Sequence, residues 1–379
     1  MLLKSNTIEF NKPRLTEFII DGDSEFSWLG QFESDEFDRF IIFYDNKLED
    51  NWLKIILSKL RIHKKKIIII SLDASEKTKS LDFYTELIDK MESEYCSKLD
   101  LAIIIGGGTI LDLMTFTAST YMRGMPSLLV PTTLIGQIDA TTAGKTCLNT
   151  GKVKNLLGTF YYPRFVYNNI NTLETNSYFY LRQGMSEALK YGLLDSKKLV
   201  DKLKDYSITN SKKNLVEIID LTIKSRIKIS KIDPYASNLG HTFGHALEKI
   251  SNYKVLHGDA INVGTVMALH FSVYEGLIKE SLVNEIMGIM KNLNLNLYID
   301  RLMDIPSFVQ LMKKDKKSMS GMLNLVLIKN IGNTYEDNGH RFYRTEAIKV
   351  EKFLMNFIKN YKYSVNDFPS CINKEIIQY

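Results

Sequence analysis

The sequence predicts an α/β N-terminal domain built on a parallel sheet, followed by a mainly α-helical C-terminal domain. Three observations carry this. The first 170 residues alternate short β-branched runs with amphipathic stretches, the order from which parallel sheets with helices on their faces are made. After about Asn176 strand signals nearly vanish and helical periodicity takes over. At 379 residues the chain is long enough for two domains, each with its own buried core. The expected division is residues 1–175 and 176–379.

Four runs read as buried strands in the first part: "FDRFIIFYD", "KKIIIISLD", "LDLAIIIGGG" and "GMPSLLVPTT", each closed by a polar or glycine-rich turn. Trp52–His63 and Ser80–Ser97 between them carry helical spacing. The basic triplet Lys64–Lys66 before "IIII" reads as a solvated strand edge. In the second part the helical stretches are Tyr178–Leu194, Ser196–Tyr206, Leu215–Ile232, His241–Ile250, Ala260–Gly276 and Leu282–Leu293. One strand signal survives, around Gly321–Gly332. Ligands of open parallel sheets sit at the carboxyl ends of the strands, and a cleft between two domains is a usual place for chemistry.

Composition narrows the function classes. A net charge of +5 is too small to argue for a nucleic-acid partner and suits an anionic small molecule. The apolar runs are far shorter than a membrane span, and "MLLKSNTIEFNK" lacks the apolar segment of a signal peptide. Cys96, Cys147 and Cys371 are odd in number and far apart, as expected of a reduced, cytoplasmic protein.

Gly106, Gly107 and Gly108 follow the strand "LAIII" and lead into a helix. Backbone without Cβ approaches a diphosphate closely, and helix N-termini favour anions. The pattern is not G-x-G-x-x-G, so nucleotide binding and a tight structural turn both stand. Between Thr120 and Pro163, Arg123, Lys145, Lys152 and Lys154 accompany Thr132, Thr133, Thr146, Asn149 and Asn155. Cations mixed with neutral donors suit a phosphorylated, hydroxyl-rich ligand; the other reading is a solvated basic loop.

Three of the six histidines fall in "NLGHTFGHALEKISNYKVLHGDA". His241 and His245 are four apart on a helical stretch, so both face one side, about 5–6 Å apart at Cβ. His257 follows just before a glycine. Glu187, in "RQGMSEALKYG" with Lys190 one turn on, offers a carboxylate. Three ligands and an open position make a catalytic zinc-type site, though spacing alone does not divide ligand from base.

Taken in order, "EKTKSL", "GGGTILD", "TYMRGMP", "VPTTL", "D…GKT…N…KN", "GMSEALKYG", "NLGHTFGHALE", "HGDA" and "DKK…G…VLIKNIG" resemble 3-dehydroquinate synthase and its relatives, the sugar phosphate cyclases. The resemblance runs from about Glu76 to Gly332. It implies a dehydroquinate synthase-like fold, with an NAD-binding α/β domain and a helical domain holding a divalent metal, zinc or cobalt. Glu187, His241 and His257 would bind the metal, leaving His245 for proton transfer with Lys190 and Lys145 as further catalytic residues. Cofactor contacts would fall to Glu76, Lys79, Gly107, Gly108, Asp112, Thr132, Thr133, Asp139, Lys154 and Thr175. Substrate contacts would fall to Arg123, Lys145, Asn155, Lys190, Arg226, Asn238, His245 and Lys316. A homodimer is implied, with Arg123 reaching the neighbouring subunit's phosphate site. The implied reaction turns a sugar phosphate into a carbocycle with phosphate elimination and no net redox change.

The chain departs from the family pattern before the first histidine. The usual D-E-x-E-x-G-x-R-x-x-L-N is contracted to "DPYASNLG", Asp233–Gly240, without the arginine associated with the substrate carboxylate. Arg226, or else Lys224 or Lys228, stands where a lysine is usual, and Asp259 replaces a glutamate. A buried carboxylate needs a cation. The sequence therefore carries two cyclase readings: 3-dehydroquinate synthase, or a cyclase of another sugar phosphate, of the 2-deoxy-scyllo-inosose synthase or sedoheptulose 7-phosphate cyclase type. Outside that class stand a metal-dependent polyol or alcohol dehydrogenase, and a non-catalytic descendant acting as a binding subunit.

Overall fold

The computed structural model describes residues 15–48, 52–151, 153–233, 235–298, 304–314 and 322–361. The chain divides into two compact units. One comprises the residues up to Ile19, Glu25–Pro131 and Gly144–Asn168; the other comprises Ile20–Ser24, Thr132–Ala143 and everything from Asn169. The expected single break after Thr175 thus takes a more interleaved form. Thr132–Ala143 belongs with the helices because Gln137 Nε2 donates to Asn169 O and Thr172 Oγ1, and Asp139 meets side chains of two helices.

The first unit is built on a six-stranded sheet in the order β1-β8-β5-β4-β2-β3. Its strands are β1 (Glu17–Asp21), β2 (Arg39–Asp45), β3 (Lys66–Leu72), β4 (Leu101–Gly106), β5 (Ser127–Pro131) and β8 (Phe165–Asn169), and its helices are α1 (Lys54–Leu60), α2 (Leu81–Ser93) and α3 (Gly108–Thr120). A separate antiparallel hairpin joins β6 (Leu148–Thr150) to β7 (Val153–Leu157). The pairings of β2 with β3 and β4, of β4 with β5 and of β5 with β8 are all parallel. Every residue of β4 is buried, as its unbroken apolar run requires of a strand covered on both faces. β3 is one edge of the sheet and β1 the other, and the triplet Lys64–Lys66 leads into β3 as expected. Phe26, Phe40, Ile42, Ile103, Val130 and Tyr167 form the core on one face. Ser80 caps α2 by accepting from Phe83 N at 3.3 Å.

The second unit centres on α4 (Tyr178–Asp195), buried from Arg182 to Leu194. Packed around it are α5 (Lys197–Thr209), α6 (Lys212–Ile232) and α8 (His257–Tyr274). α7 (His241–Ile250) lies on α8, and α9 (Glu280–Asn292), α10 (Ile305–Lys313) and α11 (Ala347–Asn360) complete the helices. The strand signal at Gly321–Gly332 splits into β9 (Met322–Leu325) and β10 (Ile328–Asn330). β9 pairs antiparallel with β12 (Tyr343–Glu346), and β10 with β11 (Asn333–Thr334). α11 shows the segment after Tyr343 to begin with a helix; its end, with Cys371, lies outside the described residues.

Glycines let α7 and α8 approach almost to backbone contact. A Cβ on Gly264 would stand 2.1 Å from Gly240 O, and one on Gly244 would stand 2.9 Å from Ala260 O. Gly240, which precedes α7, also has φ +74, a conformation costly for residues with a side chain. Helical Gly288 is the contrast, since a Cβ there meets nothing within 4 Å. Gly264→Ala should therefore lower stability by about 1–3 kcal/mol or more. Gly288→Ala should raise it by about 0.5–1 kcal/mol. Urea melts of both variants test the packing; equal midpoints would contradict it.

Candidate functional site

In the first unit β4 runs out at Gly106 and α3 starts at Gly108. β2 has β3 on one side and β4 on the other, so the ends of β2 and β4 mark a switch point, where doubly wound sheets bind ligands. A Cβ on Gly108 would enter open space, while one on Gly106 would strike Ile110 at 2.9 Å. Gly107 caps α3 without a side-chain hydrogen bond. This turn has room for an anion against helix amides.

Beside it lies a polar network. Lys79 Nζ donates to Asp112 Oδ2 at 2.7 Å and to Asn155 Oδ1 at 2.6 Å. Cys147 Sγ is 3.2 Å from the same Asn155 oxygen. Asn155 N donates to Asn149 Oδ1 at 2.9 Å, and Asn149 Nδ2 to Glu76 Oε1 at 2.7 Å. Burial works against the Lys79 cation, yet Asp112 and its other partners outweigh it and raise its pKa. Burial, with Asp112 alongside, pushes the Cys147 thiol up to about 12. Glu76, Lys79, Asp112 and Asn155 are thus brought together in one unit.

In the second unit α4 carries Glu187, α7 carries His241 and His245, and α8 starts at His257. Glu187 Oε1 lies 3.9 Å from His241 Nε2 and 3.8 Å from His257 Nε2. That oxygen is buried without a hydrogen-bond partner, while the other, Oε2, accepts from Lys190 Nζ. His241 Nδ1 is 3.1 Å from Leu239 O, and His257 Nδ1 is 3.3 Å from Glu248 Oε1. Both rings can therefore donate from Nδ1 and turn a bare Nε2 toward the orphaned oxygen. The three ligand atoms lie within 4.8 Å of one another, a donor set that fits a divalent cation. Burial, with Lys190 and His257 nearby, holds the His241 pKa well below the usual histidine value. The His245 ring centroid is 5.3 Å from that of His241 and 6.2 Å from that of His257.

Charges continue from this cluster. Lys190 Nζ lies 4.2 Å from the Tyr191 ring centroid. The Tyr191 hydroxyl donates to Asp139 Oδ1 at 3.1 Å, and Arg226 Nε donates to that oxygen at 2.7 Å. Burial opposes the Asp139 charge, but Arg226 and Lys190 outweigh it and hold its pKa at about 2. Lys224 and Lys228, the alternatives to Arg226, are paired with Asp220 and Asp195. Asp259, the shortened residue, pairs with Arg182 at 3.1 Å, both buried.

The other expected residues are placed as follows. Lys145 and Lys154 are exposed around the β6–β7 hairpin. Arg123 is exposed, with φ 68 in a left-handed run that includes Met122 and Gly124. Thr133 Oγ1 accepts from Gly136 N, Thr132 O from Asn176 Nδ2, and Thr175 Oγ1 donates to Thr172 O. Asn238 Nδ2 donates to Tyr235 O at 2.7 Å. Lys316 and Lys152 lie outside the described residues. Glu248 and Tyr191 escaped the sequence reading. Glu248 was findable, since it lies three residues after His245 and seven after His241, on the same helix face. Tyr191 gave no signal, because its partner Asp139 is remote in sequence.

The family profile described as 3-dehydroquinate synthase N-terminal matches residues 69–182, and that described as 3-dehydroquinate synthase C-terminal matches residues 184–318. The 3-dehydroquinate synthase of Picrophilus torridus is 34% identical over 295 residues, 75% of this chain and 82% of that protein. That of Sulfolobus acidocaldarius is 30% identical over 328 residues, 83% of this chain and 90% of that protein. Among solved structures, 2-epi-5-epi-valiolone synthase from Streptomyces hygroscopicus, with NAD+ and Zn2+ bound, has TM-score 0.81 at 20% identity, covering 93% of this chain and 99% of that one. A 2-deoxy-scyllo-inosose synthase complexed with carbaglucose-6-phosphate, NAD+ and Co2+ has TM-score 0.79 at 21% identity, covering 89% and 96%. An iron-containing alcohol dehydrogenase from Thermotoga maritima follows at TM-score 0.60 and 16% identity, covering 93% and 99%. At these identities the solved structures speak to the fold.

Proposed function

The chain belongs to the 3-dehydroquinate synthase family, and from that membership we propose that it is a sugar phosphate cyclase. Within that class we infer a 3-dehydroquinate synthase, converting 3-deoxy-arabino-heptulosonate 7-phosphate to 3-dehydroquinate with release of phosphate. The observation that carries the reading is the orphaned Glu187 Oε1 facing the Nε2 atoms of His241 and His257. A polyol dehydrogenase would give no purpose to "YMRG" or to "GKT…N…KN".

Glu187, His241 and His257 would hold a zinc or cobalt ion, which when bound supplies Lewis-acid polarisation of a ring ketone. The Gly107–Gly108 turn, with Lys79 and Asp112, would take NAD, which supplies reversible hydride acceptance. The remaining roles belong to the chain's own side chains. His245 takes and returns the proton on the carbon beside the ketone. Lys190, held against Glu187 Oε2, and Lys145 offer cations to the substrate's oxygens. Asn155, its Oδ1 engaged by Lys79, turns its amide N–H groups to hydroxyls.

Arg226 bears on the substrate. Its bond to Asp139 uses Nε, and the Nη fork is the part of a guanidinium that grips a carboxylate in two places. One arginine would thus do the work of the usual lysine and of the arginine missing from Asp233–Gly240. The contracted segment itself favours the second reading, a cyclase of a sugar phosphate with a neutral head.

A homodimer and a cytoplasmic location complete the proposal. Met122, Phe160 and Tyr162 are exposed at 52%, 76% and 52%, apolar surface that a second copy could cover. Light scattering reads this directly, as 43.6 kDa for one chain or twice that for a pair. Among the described residues no helix is long and apolar enough to cross a membrane, and Cys96 and Cys147 are free, consistent with a reducing compartment.

The test is phosphate release by the zinc-loaded protein with catalytic NAD+. Phosphate is expected from 3-deoxy-arabino-heptulosonate 7-phosphate, and none from sedoheptulose 7-phosphate or glucose 6-phosphate. Arg226→Lys should lower kcat/KM by about 10- to 100-fold. Activity confined to a neutral-headed substrate would reject the synthase reading and select the second. His245→Ala should keep zinc and NAD while losing about 10²- to 10⁴-fold in kcat. His241→Ala should release the metal; the reverse pattern would overturn this division of roles.

A further inference from the structure

His257 belongs to two overlapping groups of metal-type donors. One is Glu187, His241 and His257; the other is His245, Glu248 and His257. The two groups ask for different roles of Glu248, as a ligand in the second or as something else in the first. The ring's orientation separates them. His257 Nε2 is 3.8 Å from Glu187 Oε1, while Nδ1 is 3.3 Å from Glu248 Oε1. An ionised carboxylate only accepts, so a hydrogen bond to Glu248 requires the proton on Nδ1. The lone pair is then on Nε2, the atom that faces Glu187.

We propose that Glu248 is a positioning residue: it selects the Nδ1–H form of His257 and aims Nε2 at the cation held with Glu187 and His241. This rests on the metal centre proposed above. His241 reaches the same tautomer through a backbone carbonyl, Leu239 O at 3.1 Å, which no side-chain substitution removes. His257 is held instead by a side chain, with Glu248 Oε1 3.3 Å from its Nδ1. It is also the more accessible ring, 41% exposed against 11% for His241, so packing restrains it less. Glu248 is itself largely buried at 16% exposure and sits in the last turn of α7. One short helix therefore bears a ligand at its first residue and, two turns later, the group that orients a ligand on the next helix. Such outer carboxylates fix ring orientation and strengthen the donor nitrogen.

The experiment compares Glu248→Ala, Glu248→Gln and Glu187→Ala with the unaltered protein, reading zinc affinity by competition with a chromophoric chelator. Glu248→Ala should weaken zinc binding by about 10- to 100-fold. Glu248→Gln, whose amide oxygen still accepts from Nδ1–H, should recover most of that loss, and Glu187→Ala should lose more than either. Nitrogen-15 NMR of histidine-labelled, zinc-free protein should show His257 as the Nδ1–H tautomer, shifting in Glu248→Ala alone. An unaltered affinity in Glu248→Ala would overturn the proposal. So would a loss equal to that of Glu187→Ala with no rescue by glutamine, which would make Glu248 a ligand. Absence of zinc binding by the unaltered protein would instead remove the metal centre, and this inference with it.

Discussion

The candidate metal centre depends on how closely α7 and α8 can approach. Two of its three candidate ligands, His241 and His257, stand at the starts of these helices, and side chains of ordinary size at Gly240, Gly244 or Gly264 would hold the helices apart. Gly264 lies so near Gly240 O that a methyl would meet it at 2.1 Å. With the backbones in contact, His241 and His257 bring their ring centroids to 5.6 Å and both face the Glu187 carboxylate. The centre is thus a consequence of glycine placement as much as of histidine placement.

Buried charge is the second constraint. Glu187 and Lys190 are 1% and 3% exposed, a depth at which an unpaired ion is very costly. They pair with each other, yet the pairing uses one carboxylate oxygen and leaves the other bare. From Lys190 the polar path continues over the Tyr191 ring to Asp139 and Arg226. Breaking any one pair strands a partner in low dielectric, which ties the site's electrostatics to the stability of α4 and α6. The first unit repeats the device with Lys79, Asp112 and Asn155.

The long elements were legible because their periodicity is strong. α4, α7 and α9 fall within a few residues of their predicted limits, and β2 to β5 lie inside the runs that announced them. β1 and β8 carry no apolar run of the kind that announces β2 to β4, and their place in the sheet is set by tertiary pairing. The β6–β7 hairpin falls in the stretch whose cations and neutral donors suit a phosphorylated ligand, and strands of three and five residues there carry too little periodicity to announce themselves. In the site, the Glu187 and histidine cluster could be named from spacing and resemblance. The proton positions on His241 and His257 could not, since one is fixed by a backbone carbonyl and the other by a residue nine positions away. The Arg226 bond to Asp139 spans 87 positions, and no local pattern announces it.

Of three neighbouring histidines, two are the proposed ligands and one ring is kept for proton transfer. Zinc K-edge X-ray absorption of the zinc-loaded protein reads that division directly, because imidazoles leave a countable multiple-scattering signature. Two imidazoles and one carboxylate oxygen from the protein are expected, at about 2.0–2.2 Å. Three imidazoles, or only one, would contradict this division.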